Sequence, residues 1–296
     1  MAAWLRFGGL DWDDGQHLHP DERFLTMVEN SISLPASFGE YLNTPGSPLN
    51  PANRGHSYFT YGTFPLFVVQ VLGAALGLRD YHEIYLVGRA TAAVFDLGTL
   101  LLTYRLGLLL AGPAAGLLAA TLFAFCVPAI QHAHFFTVDS FSIFFAAAAL
   151  LTAAKVGLGH GLGWHGIFGL ALGLGVATRV NLVLVALVYP PLALLAWWRG
   201  RLSFAGLVLG GAIAGVVAAV VFRLAQPYAF AGPGFFDVAI APEFWNSIQT
   251  TRAMVRGEVG FPPALQWIGR IPPLFASRNL FLWGLGPAFG LTAGAG

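Results

Sequence analysis

Long apolar segments joined by short loops limit the possible folds of this chain more than any other feature. A helix needs about 20 apolar residues to cross the hydrocarbon core of a bilayer. Only 10% of the residues are charged, against about 25% in soluble domains, so a soluble globular fold is excluded. We expect an all-α, polytopic transmembrane helix bundle with about seven spans: 84–110, 114–134, 138–157, 163–178, 181–198, 203–223 and 279–294.

Charge and cysteine content limit the partners, disulfides and metal sites that can be expected. The net charge of +1 gives no reason to expect nucleic acid, whereas membrane lipids are expected neighbours. Cys126 is the only cysteine, so the chain cannot form an internal disulfide or a cysteine-rich metal site.

The polar parts of the chain divide it into four regions. We expect an outer loop at 1–83, a helix bundle at 84–223, a second outer loop at 224–278 and the start of a further span at 279–296. The abrupt apolar C-terminus and the lack of a span before the first loop predict a fragment of a longer protein. In the first loop, apolar periodicity predicts interfacial helices at 21–33 and 64–78.

The distribution of charge between the loops predicts orientation. If each segment crosses once, 13 of the 14 acidic residues lie on one face, and the remaining one, Asp96, lies inside a span. Short loops that are basic and free of acids mark the cytoplasmic side, so the acidic face is extracytoplasmic. The opposite face holds Arg105, Lys155, Arg199 and Arg201.

Polar residues cluster on the predicted outer face around the acidic pair Asp21-Glu22. Two carboxylates beside a membrane could supply a general base for chemistry on a lipid-linked substrate. Arginines there could bind a lipid phosphate through charge-assisted hydrogen bonds. The other candidates on this face are Arg54, His56, Tyr58, Tyr61, His134, Asp139, Arg179 and Arg223.

Each of these features also has a structural interpretation. Asp21 and Glu22 could stabilise the first turn of a helix through its dipole. The spacing of His132 and His134 suits a metal ion, although such residues more often cap helix ends. Arg179 could extend from a helix end towards the membrane surface.

Several motifs resemble one family of membrane enzymes. The pattern His19–Phe24 in a first outer loop, followed by Tyr58–Pro65 leading into an apolar helix, is similar to membrane glycosyltransferases of the GT-C class. The nearest likeness is to bacterial relatives of protein O-mannosyltransferases and of the lipid A aminoarabinose transferase. Arg89 at the start of a span, His134–Asp139 before another and Gly169–Asn181 extend the resemblance over most of 10–230.

The resemblance implies a polyprenyl-phosphate-linked sugar as donor and transfer with inversion at the anomeric carbon to a hydroxyl of a protein, lipid or glycan. It implies that Asp21 is the general base, that Glu22 orients the acceptor and that Asp139 supports the site. Neither step requires a nucleotide cofactor, and the resemblance leaves a divalent metal ion open.

The resemblance leaves the phosphate ligand unassigned. Relatives often carry a lysine before the proline of the second loop helix, where this chain has Tyr61–Pro65. Phosphate binding then falls to one of Arg54, Arg89, Arg179 and Arg223. The full set of expected substrate-binding residues is Arg54, His56, Tyr58, Tyr61, Arg89, His134, Arg179 and Arg223.

A transporter or flippase for a polar or lipid-linked solute is the alternative. Such a protein needs polar residues along its spans and usually has internal repeats. Asp96 is the main charged residue inside a predicted span, and we find no repeat. We expect Asp96→Asn to inactivate a transporter, whereas a transferase depends more on Asp21.

Overall fold

The computed structural model describes residues 1–295, which form helices joined by turns, with an isolated antiparallel bridge between Phe230 and Ile240. The α-helices are α1 (Ala2–Phe7), α2 (Pro20–Ser31), α3 (Phe38–Leu42), α4 (Phe64–Leu76), α5 (Ile84–Ala111), α6 (Pro113–Ala124), α7 (Val127–Ala133), α8 (Asp139–Gly157), α9 (Gly163–Val176), α10 (Tyr189–Trp198), α11 (Phe204–Ala225), α12 (Pro242–Arg256), α13 (Pro262–Leu265), α14 (Pro272–Asn279) and α15 (Gly286–Ala295). Shorter 3-10 turns cover Pro51–Arg54, Val180–Val188 and Pro227–Ala229, and a π-turn covers Leu280–Gly284.

The membrane-length helices confirm an all-helical protein suited to a bilayer. Within residues 1–295, four segments are long and apolar enough to cross a membrane: α5, α8, Val180–Trp198 and α11. Helices α6 and α7 meet at an angle of 60° and make a fifth if the pair counts as one broken span.

The prediction of about seven spans is wrong for two segments. Helix α9 has 14 residues, which at about 1.5 Å per residue is well short of a hydrocarbon core about 30 Å thick. The predicted span 279–294 is divided by the π-turn and by Gly286, which has a left-handed φ of 75°. Gly296, the last residue of the predicted region 279–296, lies outside the described residues.

The two predicted helices of the first loop are present as α2 and α4. Pro20 occupies the first turn of α2, and the His19 side chain accepts a hydrogen bond from the Glu22 amide. The predicted apolar face of α2 packs into a core shared with α4 and α5 that includes Leu25 and Val28. Burial of this face therefore fixes the orientation of α2.

A buried ion pair joins α1 to the middle of α5. The Nε atom of Arg6 donates to Oδ2 of Asp96 at 2.7 Å, and both side chains are almost completely buried. The other Arg6 nitrogens donate to the carbonyls of Ala124 and Phe123 at 2.6 and 3.1 Å. Helical hydrogen bonding stops at the break between α6 and α7, and Arg6 donates to two carbonyls there. Asp96 balances the positive charge of Arg6.

The loop before α4 is bound to the ends of two distant helices. The Gly62 amide donates to the Thr178 carbonyl at 2.8 Å, just after α9. The Thr63 hydroxyl donates to the Gln226 side chain at 2.6 Å, just after α11. These contacts bring the first outer loop and the ends of α9 and α11 together at one end of the bundle.

Candidate functional site

The position of Tyr61 is fixed by a close backbone approach at the next residue. Besides the bond from Gly62, the Phe64 amide donates to the Ala177 carbonyl at 3.2 Å. A Cβ atom placed on Gly62 would lie 1.8 Å from that carbonyl oxygen, so the position accepts no side chain. Glycine is required here for space, and it brings Tyr61 next to the segment that carries Arg179.

Two of the predicted site residues form an ion pair at this end of the bundle. Asp139 is the first residue of α8, and Arg179 immediately precedes the Val180–Val188 turn. Nη1 of Arg179 lies 2.6 Å from Oδ1 of Asp139. The side chains of Arg179 and Asp139 are 38% and 23% exposed, so the pair remains accessible from outside.

Tyr61 connects this ion pair to Asp21. Burial raises the pKa of the Tyr61 hydroxyl, and the charge of Asp21 and a side-chain hydrogen bond to it raise the pKa further. Arg179 lowers this pKa and Asp139 raises it. The structure therefore groups Asp21, Tyr61, Asp139 and Arg179, which are far apart in sequence, into one cluster.

Glu22 lies behind this cluster and is fully buried. Arg89 donates to both of its carboxylate oxygens, and the Phe136 amide donates to Oε2 at 2.7 Å. Arg89 also donates to Oδ1 of Asp13 at 2.9 Å. Glu22 thus has a supporting position that fixes α2, rather than an exposed oxygen that could contact an acceptor.

Three of the four arginines expected to bind phosphate are occupied by other contacts or lie away from Tyr61. Arg89 is held by Glu22, and the buried Arg223 donates to two carbonyls of the segment after α11, at 3.0 and 2.6 Å. Arg54 is exposed and its Nε atom lies 3.4 Å from a carbonyl of its own loop. Arg179 alone among these four lines a cavity with Tyr61.

The remaining predicted residues have separate positions. Burial lowers the pKa of His56, whose ring packs edge-on against Phe24. The Tyr58 hydroxyl lies 3.3 Å from Oγ1 of Thr251 on α12. Both ring nitrogens of His134 lie within 2.9 Å of backbone carbonyls, so this histidine connects segments rather than facing a substrate.

A cavity of about 550 Å³ adjoins the cluster. Tyr61 and Arg179 form part of its lining, and residues of α12 form another part. The apolar part of the lining consists of Phe59, Val180, Val183, Phe244, Ile248 and Val255. The cavity therefore combines an apolar interior with a polar cluster on one side, which suits an amphiphilic ligand.

Two arginines of this cavity were not predicted from the sequence. Arg252 and Arg256 are four residues apart on α12, so they lie on one face of the helix, and both line the cavity. Their spacing was visible in the sequence. Nothing in the sequence showed that this face would line the same cavity as Arg179.

The described residues do not assemble a metal site. Across residues 1–295, no group of three or more histidine, cysteine, aspartate or glutamate side chains could hold an ion. His132 and His134 are accordingly not joined by further ligands within these residues.

No protein-family model, curated protein or solved structure matches the chain.

Proposed function

We propose that this protein is a membrane glycosyltransferase that moves a sugar from a polyprenyl-phosphate carrier to an acceptor hydroxyl, with inversion at the anomeric carbon. The observation that carries the proposal is the position of Asp21, Tyr61, Asp139 and Arg179 beside a cavity that has a large apolar surface. A carboxylate, a fixed cation and an apolar chamber are what this reaction requires.

Asp21 is the general base in this proposal. It is half-buried and forms no ion pair within residues 1–295, so its carboxylate is available to accept a proton. Its neighbour Glu22 is neutralised by Arg89, which leaves Asp21 as the accessible member of the acidic pair. The Tyr61 hydroxyl lies close enough to the Asp21 carboxylate for the charge of Asp21 to raise the pKa of Tyr61.

The bond changes assign a role to each group. The acceptor O–H bond breaks and its proton passes to Asp21, while the acceptor oxygen bonds to the anomeric carbon from the face opposite the phosphate. The bond between that carbon and the phosphate oxygen breaks, and its electron pair leaves with the carrier phosphate. Arg179, oriented by Asp139 at 2.6 Å, stabilises this developing negative charge.

The charge distribution supports an extracytoplasmic location for the reaction. The basic residues Arg105 on α5, Lys155 on α8, and Arg199 and Arg201 after α10 are not accompanied by a carboxylate in these parts of the sequence. This asymmetry matches the orientation in which basic loops remain in the cytoplasm. The protein is accordingly proposed as a multi-pass component of the cell membrane.

The test is transfer of radiolabelled sugar from polyprenyl phosphate in membranes containing the full chain. We expect label in an acceptor with the wild type, and its loss with Asp21→Asn at equal expression. Asp14→Asn is the matched control, because Asp14 is exposed and lies outside the cluster. Transfer that persists in Asp21→Asn would remove Asp21 as the base and make Asp139 the next candidate.

A transporter is the second candidate, and the break between α6 and α7 favours it. Broken helices that meet buried charges, as here with Arg6 and Asp96, are common at transport sites. Absence of transfer from any donor by folded protein, combined with solute uptake into vesicles, would select this function instead.

A further inference from the structure

Two arginines of α12 line the cavity, and their positive charge is only weakly balanced by carboxylates of the described chain. Arg252 makes no hydrogen bond or ion pair within the described part of the chain. Arg256 pairs with Glu258 over 3.7 Å, and both side chains are about 60% exposed, at 63% and 59%. An exposed pair at this distance is weak, so both guanidinium groups are available to a ligand.

The charge of Arg179, in contrast, is already balanced. Its guanidinium is 2.6 Å from Asp139, and Asp21 adds further negative charge to the same cluster. Arg179 can still contact a bound phosphate, but the positive charge that carboxylates balance only weakly is on α12. The two arginines one helical turn apart are also positioned to approach the same anion.

The apolar lining shows what the anion must be attached to. Val180 and Val183 line the cavity and lie at the start of Val180–Trp198, one of the segments long enough to cross a membrane. Val183 is 51% exposed, so the cavity wall continues onto a surface suited to lipid. A free, fully hydrated phosphate would gain nothing from this wall, whereas a hydrocarbon chain would be desolvated by it.

We propose that Arg252 and Arg256 bind the phosphate group of a long-chain lipid phosphate, with the chain lying along Val180 and Val183. The assignment of this lipid as the sugar carrier rests on the proposed transferase function. Binding of the lipid phosphate itself requires no transfer, so the two ideas can fail separately.

The test measures binding of radiolabelled polyprenyl phosphate without sugar to the purified full chain in detergent. We expect Arg252→Gln and Arg256→Gln each to weaken binding at least tenfold, because each substitution removes a charge-assisted contact to the phosphate. Arg278→Gln is the matched control, because Arg278 lies on α14 and does not line the cavity. Arg252→Lys, which keeps the charge, should recover part of the affinity.

Competition separates the sources of phosphate. Inorganic phosphate and phosphatidylglycerol should displace polyprenyl phosphate poorly. Equal displacement by inorganic phosphate would identify a free-anion site, and equal displacement by phosphatidylglycerol would identify a general headgroup site; either overturns the proposal. Wild-type affinity in the folded double variant Arg252→Gln/Arg256→Gln would also overturn it. If no sugar is transferred but the arginine variants still weaken binding of polyprenyl phosphate, only the proposed reaction is contradicted.

Discussion

Arg89 and Glu22 form a two-point ion pair in which Nε donates to Oε2 at 3.0 Å and Nη2 donates to Oε1 at 2.5 Å. Neither side chain has any exposed surface. The pair joins α5 to α2, one residue after the carboxylate that we propose as the base. The geometry of Asp21 therefore depends on a contact that never meets the substrate.

Removal of Glu22 should destabilise the protein strongly. Glu22→Ala removes two charge-assisted bonds from Arg89 and leaves the buried Phe136 amide without its partner, and loss of a hydrogen bond to a charged group costs about 1.5–3 kcal/mol. Arg89 keeps Asp13 and the Leu10 carbonyl, so the destabilisation comes from the lost bonds and not from an unbalanced charge. The measurement is thermal unfolding in detergent, compared with Glu258→Ala, whose side chain is 59% exposed. Equal melting temperatures for the two variants would contradict the structural role of Glu22.

Gly62→Ala should displace the loop that carries Tyr61. The new methyl group would clash with the Ala177 carbonyl, which is backbone and cannot rotate away. We expect sugar transfer to fall at least tenfold while the helix content measured by circular dichroism stays near that of the wild type. Gly161→Ala is the control, because no atom lies within 4 Å of the new carbon there. Full activity of Gly62→Ala would show that this close approach does not govern the site.

The Arg6 and Asp96 pair gives a test between transferase and transporter. Asp96→Leu alone should destabilise the protein, because it leaves the buried Arg6 uncompensated. The double variant Arg6→Met/Asp96→Leu removes both charges and should recover most of the melting temperature. If the pair is structural, this variant retains sugar transfer; a stable double variant that loses solute uptake would instead support transport.

Glu29 should make stability depend on pH. It is buried on α2, and burial raises its pKa well above the usual 4.5, an effect that the neighbouring Gln70 side chain only partly offsets. The folded state therefore keeps a proton that the unfolded state releases. Its stabilising effect is complete below about pH 4.5 and is lost as pH rises towards the raised pKa of the folded state.

Glu29→Gln should remove this dependence because glutamine stays neutral. The measurement is the melting temperature of both proteins from pH 4.5 to 9. We expect the wild type to lose stability relative to Glu29→Gln as pH rises, by up to about 1.4 kcal/mol per pH unit. If the melting temperatures of the two proteins change with pH in parallel, the Glu29 side chain is in contact with water in the folded protein.

The sequence predicted features that depend on local pattern. The apolar spacing of α2, the proline at its start and the composition of α4 were sufficient to predict both helices near their observed bounds. Hydropathy overcounted the spans because it does not register where a helix breaks. The short α9 and the π-turn at Leu280–Gly284 are apolar but do not make continuous membrane-length helices.

The sequence predicted only part of the candidate site. Counting 163–178 as a crossing predicted that Asp21, Asp139 and Arg179 lie at the same end. The structure does bring them into one cluster with Tyr61, although α9 is shorter than a membrane-length helix. Their neighbours could not be predicted, because pairings such as Arg89 with Glu22 join residues 67 positions apart. The orientation of α12 depends on tertiary contacts that leave no periodic signal.

The ion pair between Arg6 and Asp96 also has a consequence for biogenesis. Asp96 emerges from the ribosome 90 residues after Arg6, so its partner already exists when α5 reaches the membrane. A carboxylate at the centre of a helix is costly to insert, by about 2.5–3.5 kcal/mol on insertion scales. An α1 that accompanies α5 into the bilayer would reduce that cost during synthesis, before the later helices are made.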